Sequence, residues 1–142
     1  MSENKHPLLT LVTCAYNAED TLARCLQSIC EQTATGLRVL VVDDGSTDGT
    51  AVLAQTFVSE HPEIVEARRV SHRGLGAARN FGLALVDTPY TGFLDADDWL
   101  PSDFAERLTS CLQARGDVDM IFILPTCCDE RDGTMSPWYD KD

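Results

Sequence analysis

Apolar residues along this chain follow two spacings in turn. Short unbroken runs at residues 8–13, 39–42 and 90–94 have the length and β-prone content of strands, and the last reads as a buried one. Helical spacing follows each. Beyond the first run, Leu22, Cys25, Leu26 and Ile29 mark one face of a helix that Asn17 is placed to cap, with Glu19 and Asp20 in its first turn. Beyond the second, residues 43–49 carry turn and cap chemistry, and Val52, Leu53 and Phe57 predict a second helix. A third strand falls near residues 64–70, half exposed because of Glu66 and the Arg68-Arg69 pair. Leu75, Ala78, Gly82 and Leu85 then share a face of a helix slim enough to approach a sheet closely. A helix from about Pro101 carries Phe104, Leu108 and Leu112, residues 118–124 read as a fifth strand, and residues 125–142 have no readable period. Apolar strands alternating with amphipathic helices are what a parallel sheet covered on both faces demands. The pattern therefore predicts an α/β fold in a single domain, residues 1–142.

Composition narrows the function. A balance of 23 acidic against 11 basic residues argues against a nucleic-acid partner, which needs clustered Lys and Arg. No CxxC pair occurs among the cysteines at positions 14, 25, 30, 111, 127 and 128, and no apolar secretory or transmembrane run appears. The expected setting is the reducing cytoplasm, including the cytoplasmic face of a membrane. Cys25 lies on one apolar helical stripe and Cys111 beside another, so both read as small core residues, while Cys127-Cys128 is left unexplained.

In an open parallel sheet, ligands bind beyond the carboxyl ends of the strands. Four loops leave such ends here. Residues 13–17 offer the ring of Tyr16, residues 43–48 the acidic pair Asp43-Asp44, residues 71–74 cationic groups, and residues 95–98 three carboxylates within four positions. In an extended segment Asp95 and Asp97 point the same way and can share a hard cation, with Asp98 in an outer or helix-entry role. The alternative at this stretch is a solvated acidic loop before a helix. Tyr16 could equally pack at a rim, Asp43 and Asp44 could be turn residues, and Arg79 could pair with a surface carboxylate. His72 reads as a surface loop residue, since no partner stands at zinc spacing. Taken together, the four loops supply a base-stacking face, an N–H acceptor, positive charge and a cation site, the parts a nucleotide diphosphate needs.

The series Val12-Thr13-Cys14-Ala15-Tyr16-Asn17, Val41-Val42-Asp43-Asp44-Gly45-Ser46-Thr47-Asp48, Gly74-Leu75-Gly76-Ala77-Ala78-Arg79-Asn80-Phe81-Gly82 and Phe93-Leu94-Asp95-Ala96-Asp97-Asp98 resembles glycosyltransferase family 2. These are inverting nucleotide-sugar enzymes of Rossmann-like GT-A fold. The resemblance implies a divalent cation, Mn2+ or Mg2+, and a nucleotide-diphosphate-sugar donor, usually a UDP-sugar. It also implies site residues: Thr13 and Tyr16 at the base, with Tyr16 stacking; Asp44, with Asp43, accepting from the base; Arg79 reaching the nucleotide; Asp95 near the ribose; and Asp95, Asp97 and Asp98 at the metal. Two stretches depart from the family pattern. Ser71-His72-Arg73 replaces an Asn-containing loop, and Asp87-Thr88-Pro89 replaces a Gly-containing turn. The family's catalytic base and acceptor site usually lie on the C-terminal side of the segment that Asp95-Ala96-Asp97 resembles. Asp129, Glu130, Asp132 and Asp140 stand there, and no pattern selects one. The expectation is a donor-binding part of a longer transferase. Its rivals are a non-catalytic nucleotide-binding or interaction domain, a nucleotidyltransferase and, with a poorer fit, a phosphorelay receiver.

Overall fold

The computed structural model describes residues 6–116 and 118–137. It separates into two compact units, Met1–Ser110 and Cys111–Asp142. The first unit holds strands β1 (Leu9–Ala15), β2 (Leu37–Asp43), β3 (Val65–Arg69) and β4 (Tyr90–Phe93). Its helices are α1 (Leu22–Cys30), α2 (Thr50–Glu60) and α3 (Leu75–Leu85), and α4 (Phe104–Arg115) begins in it. The four strands form one parallel sheet in the order β3-β2-β1-β4. Because every strand runs the same way, all four carboxyl ends open on one edge, with Ala15 beside Asp43, Asp43 beside Arg69 and Val12 beside Phe93.

Alternation along β1 and β2 sends side chains to two cores. Leu9, Leu11, Ala15, Val39 and Val41 pack with Leu22, Leu26, Ile29, Phe104 and Ala105, while Val12, Leu40 and Val42 meet Ala78 on the opposite face. Helices thus cover both faces, as the alternating pattern demands. The second contact is unusually close. A Cβ on Gly82 would lie 2.5 Å from Val12 Cγ1 and 3.1 Å from Val42 Cγ2. Gly82→Ala is expected to lift α3 from the sheet and cost about 1–3 kcal/mol despite alanine's better helix propensity. A denaturation midpoint unchanged or raised would contradict this.

Several expectations are corrected by packing. The close approach is confined to the middle turns of α3, so Leu75 and Leu85, its first and last residues, are exposed, as is Val52 on α2. Asn17 does not cap α1, which starts at Leu22 after Thr21. It sits in the left-handed region at φ 49, where its carboxamide oxygen accepts from the Thr47 N–H at 2.8 Å. Ser46 Oγ accepts from Asn17 N–H and Thr50 Oγ1 from Ala18 N–H, so the two loops after β1 and β2 are cross-tied instead. Strand β4 is an edge strand with Thr91 and Phe93 exposed, not a buried one.

In the second unit residues 118–124 form no strand. Their apolar residues find no ladder partner among the described residues, and Met120, Phe122, Ile123 and Leu124 are exposed. The regular structure comes later, where β5 (Thr126–Cys128) pairs antiparallel with β6 (Met135–Pro137). Cys111 is exposed, not a core residue, whereas Cys25 is fully buried as expected. Asp140 lies outside the described residues.

Candidate nucleotide and metal site

Tyr16 follows the last residue of β1 and presents a half-exposed ring. One of its faces is covered by His72, whose imidazole stacks at a centroid distance of 4.1 Å and an interplanar angle of 19°. His72 Nδ1 lies 2.8 Å from Asp44 Oδ2 and 3.1 Å from the Asp44 carbonyl oxygen. Both partners are acceptors, so Nδ1 carries the hydrogen. His72 stands in an exposed loop, as expected, and in addition joins two of the candidate residues, Tyr16 and Asp44. Its only trace in the sequence was a place in the loop after β3.

Asp44 is buried, with 3% of its surface exposed. Its carboxylate accepts from Arg73 N–H and Gly74 N–H, both at 2.9 Å, as well as from His72. The Arg73 N–H hydrogen bond, and after it those from Gly74 and His72, hold this carboxyl below the usual carboxylate range against the opposing effect of burial. Asp44 thereby fixes the loop of residues 71–74 at the mouth of the sheet. Gly45, at φ 73, lets that loop pass directly over it, for a Cβ there would meet His72 N at 2.9 Å.

Asp43 is equally buried. Its Oδ1 accepts from Ser46 N–H, while Oδ2 makes no hydrogen bond and faces Arg69 Nε at 3.5 Å. Arg69 also donates to the Ser46 carbonyl at 2.7 Å, which ties the end of β3 to the acidic loop. Thr13 is fully buried, with the Cys25 thiol as its side-chain neighbour. Cys14, next to it, has its thiol pushed up to about 11 mainly by burial, so it is protonated at neutral pH and no nucleophile. A cleft of about 210 Å³ opens beside Asp44, lined by Val70, Ser71, Arg73, Ala77 and Phe81 among others. A larger hollow of about 400 Å³ is lined by α2 residues without an ionisable side chain, and offers no comparable chemistry.

At the other side of β1, Leu94 N–H donates to Val12 O and the chain then turns, with Asp98 N–H donating to Asp95 O at 3.0 Å. This turn, not the extended alternation expected, gathers Asp95, Asp97 and Asp98. Each offers a carboxylate oxygen within 4.8 Å of the others. Ala96, between them, is buried. Burial raises the Asp98 carboxyl, the charges of Asp97 and Asp95 raise it further, and Arg24 opposes them. Arg79 reaches from α3 to Asp95 Oδ1 at 2.8 Å, its guanidinium 5.5 Å from the Phe93 ring centre. Arg24 lies 4.0 Å over the Trp99 ring and 3.4 Å from the Asp97 carbonyl oxygen, and so braces the turn from α1. Sequence reasoning missed Arg24, because on α1 an arginine reads as part of the solvent face.

The hairpin carboxylates are differently employed. Asp129 is held below the usual range by Arg131 and Asp132 by Thr134, both as acceptors within the turn. Both carboxylates are thus engaged in closing the hairpin turn.

An open parallel sheet with an aromatic ring, an acidic loop, an arginine and three converging carboxylates along the carboxyl edge of its strands has the arrangement in which α/β domains hold ligands. The family model described as Glycosyl transferase family 2 matches residues 10–139, and the chain belongs to that family. Glycosyltransferase GlyA of Streptococcus pneumoniae serotype 4 is 37% identical over 100 residues, 70% of this chain and 14% of that protein. Chondroitin synthase of Escherichia coli is 38% identical over 102 residues, again 70% of this chain and 14% of that protein. The S. aureus TarS 1–349 structure in complex with UDP-GlcNAc superposes with a TM-score of 0.69 at 22% identity, over 75% of this chain and 31% of that one. Mannosyltransferase PcManGT from Pyrobaculum calidifontis, in complex with GDP-Man and Mn2+, gives 0.65 at 27% identity over 80% and 34%. The fold is that of the GT-A transferases. The chain spans between 14% and 34% of the length of these four proteins.

Proposed function

We propose that this chain is the donor-binding part of a glycosyltransferase, holding a nucleotide-diphosphate sugar, a UDP-sugar, for inverting transfer to an acceptor hydroxyl. The observation that carries the reading is the register of the sheet, which sets Tyr16, Asp43, Asp44 and the Asp95 turn side by side at one edge. Tyr16 offers the stacking face. Asp44 and Asp43 form the acidic wall next to it, and Thr13 lies beneath as a buried hydroxyl. Arg79, held by Asp95, is aimed at the place a diphosphate would take. Asp95 stands near the ribose in this arrangement. The binding of UDP and UDP-GlcNAc by TarS supports the choice of donor.

The donor set of Asp95, Asp97 and Asp98 suits Mn2+ or Mg2+. All three offer hard oxygen atoms, and these lie within 4.8 Å of one another. A cation held there would neutralise charge on the departing diphosphate. The complex of PcManGT with Mn2+ supports this assignment. No helix among the described residues is long and apolar enough to cross a membrane. All six thiols are unpaired, which supports a reducing, cytoplasmic setting.

Calorimetric titration of UDP, GDP and ADP, with and without Mn2+, tests the reading. UDP is expected to bind preferentially and more tightly with Mn2+, and Tyr16→Ala to weaken it by roughly 1 to 3 kcal/mol, the range for a lost stacking platform. Indifference to both base and metal in the folded protein would defeat it.

A further inference from the structure

Among the described residues the Nε2 of His72 makes no hydrogen bond, and its side chain is 54% exposed, yet the ring is held in a specific place. A flat unsaturated ring lies on Tyr16 at stacking distance and directs a ring N–H to Asp44. A pyrimidine with a ring N–H, such as uracil, would make those same two contacts. We infer that His72 is a built-in occupant of the base position, a side chain that the nucleotide must displace before it can stack on Tyr16. This rests on the base-site reading above and adds to it a residue that sets affinity.

The local structure permits such an exchange. The loop does not depend on the imidazole, because Arg73 N–H and Gly74 N–H bind Asp44 and the backbone of His72 lies against Gly45. Rotation about the His72 side-chain bonds alone moves the ring into solvent. Asp44 then keeps its two backbone partners and regains one acceptor site for the incoming N–H. A nucleotide that binds only when the ring is out has its apparent affinity reduced by the fraction of time the place is vacant. Stacked aromatic pairs of this kind shift such a balance by about two- to tenfold.

The test is a UDP titration of the wild-type chain and His72→Ala in parallel, with one-dimensional NMR of the imidazole protons. His72→Ala is expected to bind UDP about two- to tenfold more tightly. In the wild type, saturating UDP should shift the His72 ring signals downfield as the ring leaves the shielding face of Tyr16. The three histidines are told apart by the signal missing from the variant. Equal or weaker binding by His72→Ala, while the wild type binds UDP, overturns this inference and leaves the site reading intact. Absence of UDP binding to both proteins overturns the site reading as well. Should the variant not fold, the wild-type spectra decide: ring signals unmoved by bound UDP refute the displacement.

Discussion

Replacing Asp97 with alanine is expected to remove the Mn2+-dependent part of nucleotide affinity while leaving metal-independent binding in place. The turn at residues 95–98 brings three carboxylates together, and Arg79 engages only Asp95. The repulsion shows in Asp98, whose carboxyl is raised by burial first and then by Asp97 and Asp95. A raised carboxylate contributes stability that is full in acid and lost as pH rises through its folded value, so at neutral pH the cluster is a local cost that a cation relieves. Losing one of three direct oxygen ligands should weaken Mn2+ by more than the roughly tenfold to hundredfold, ~1.4 to ~2.8 kcal/mol, that loss of a partner behind a ligand costs. Without metal the variant should be at least as stable as the parent, since a repelling charge has gone. Calorimetry with Mn2+ titrated at fixed UDP reads the first effect and thermal melting in chelator the second. An undiminished Mn2+ increment would remove Asp97 from the metal site. A destabilised apo-protein would make the cluster structural.

What the sequence made legible follows from which forces act locally. The sheet was readable because β1 and β2 are central strands, buried on both faces and therefore apolar throughout. Edge position is a tertiary property, so β4 could not be distinguished from a central strand by its own residues, and the apolar run at 118–124 could not announce that it lacks a ladder partner among the described residues. The acidic and aromatic members of the site were legible because strand ends mark the ligand edge of a parallel sheet. Their hydrogen bonding was not. Asp44 reads as a free acceptor in the sequence, yet residues 72–74, nearly thirty positions away, supply three donors to it. The carboxylates of Asp95, Asp97 and Asp98 do converge, but not for the geometric reason expected, since a turn and not strand alternation brings them together.

That saturation makes Asp44 the residue whose loss should be felt most in both stability and binding. Asp44→Ala takes the acceptor from the N–H groups of Arg73, an exposed residue, and Gly74, a half-buried one, and releases His72 as well. Hydrogen bonds to a charged acceptor are worth about 1.5–3 kcal/mol each, and water can take over part of this at half-exposed donors, so a loss of roughly 1–3 kcal/mol is expected, with the loop of residues 71–74 detaching from the sheet. Asp44→Asn should lose less, because its carbonyl oxygen can still accept from one of the two backbone donors. The parent should also carry an acid signature. A carboxyl lowered in the folded state gives stability that is complete above its ordinary value of 3.8 and is withdrawn as pH falls through the folded value. Denaturation midpoints compared between pH 7 and pH 3 should therefore drop more for the parent than for Asp44→Ala. UDP affinity should fall in Asp44→Ala beyond what stability explains, because the base loses both its acceptor and the loop that borders it. An alanine variant with parental stability at pH 7, or with an equal acid response, would show that the three hydrogen bonds to Asp44 hold neither the loop nor the site.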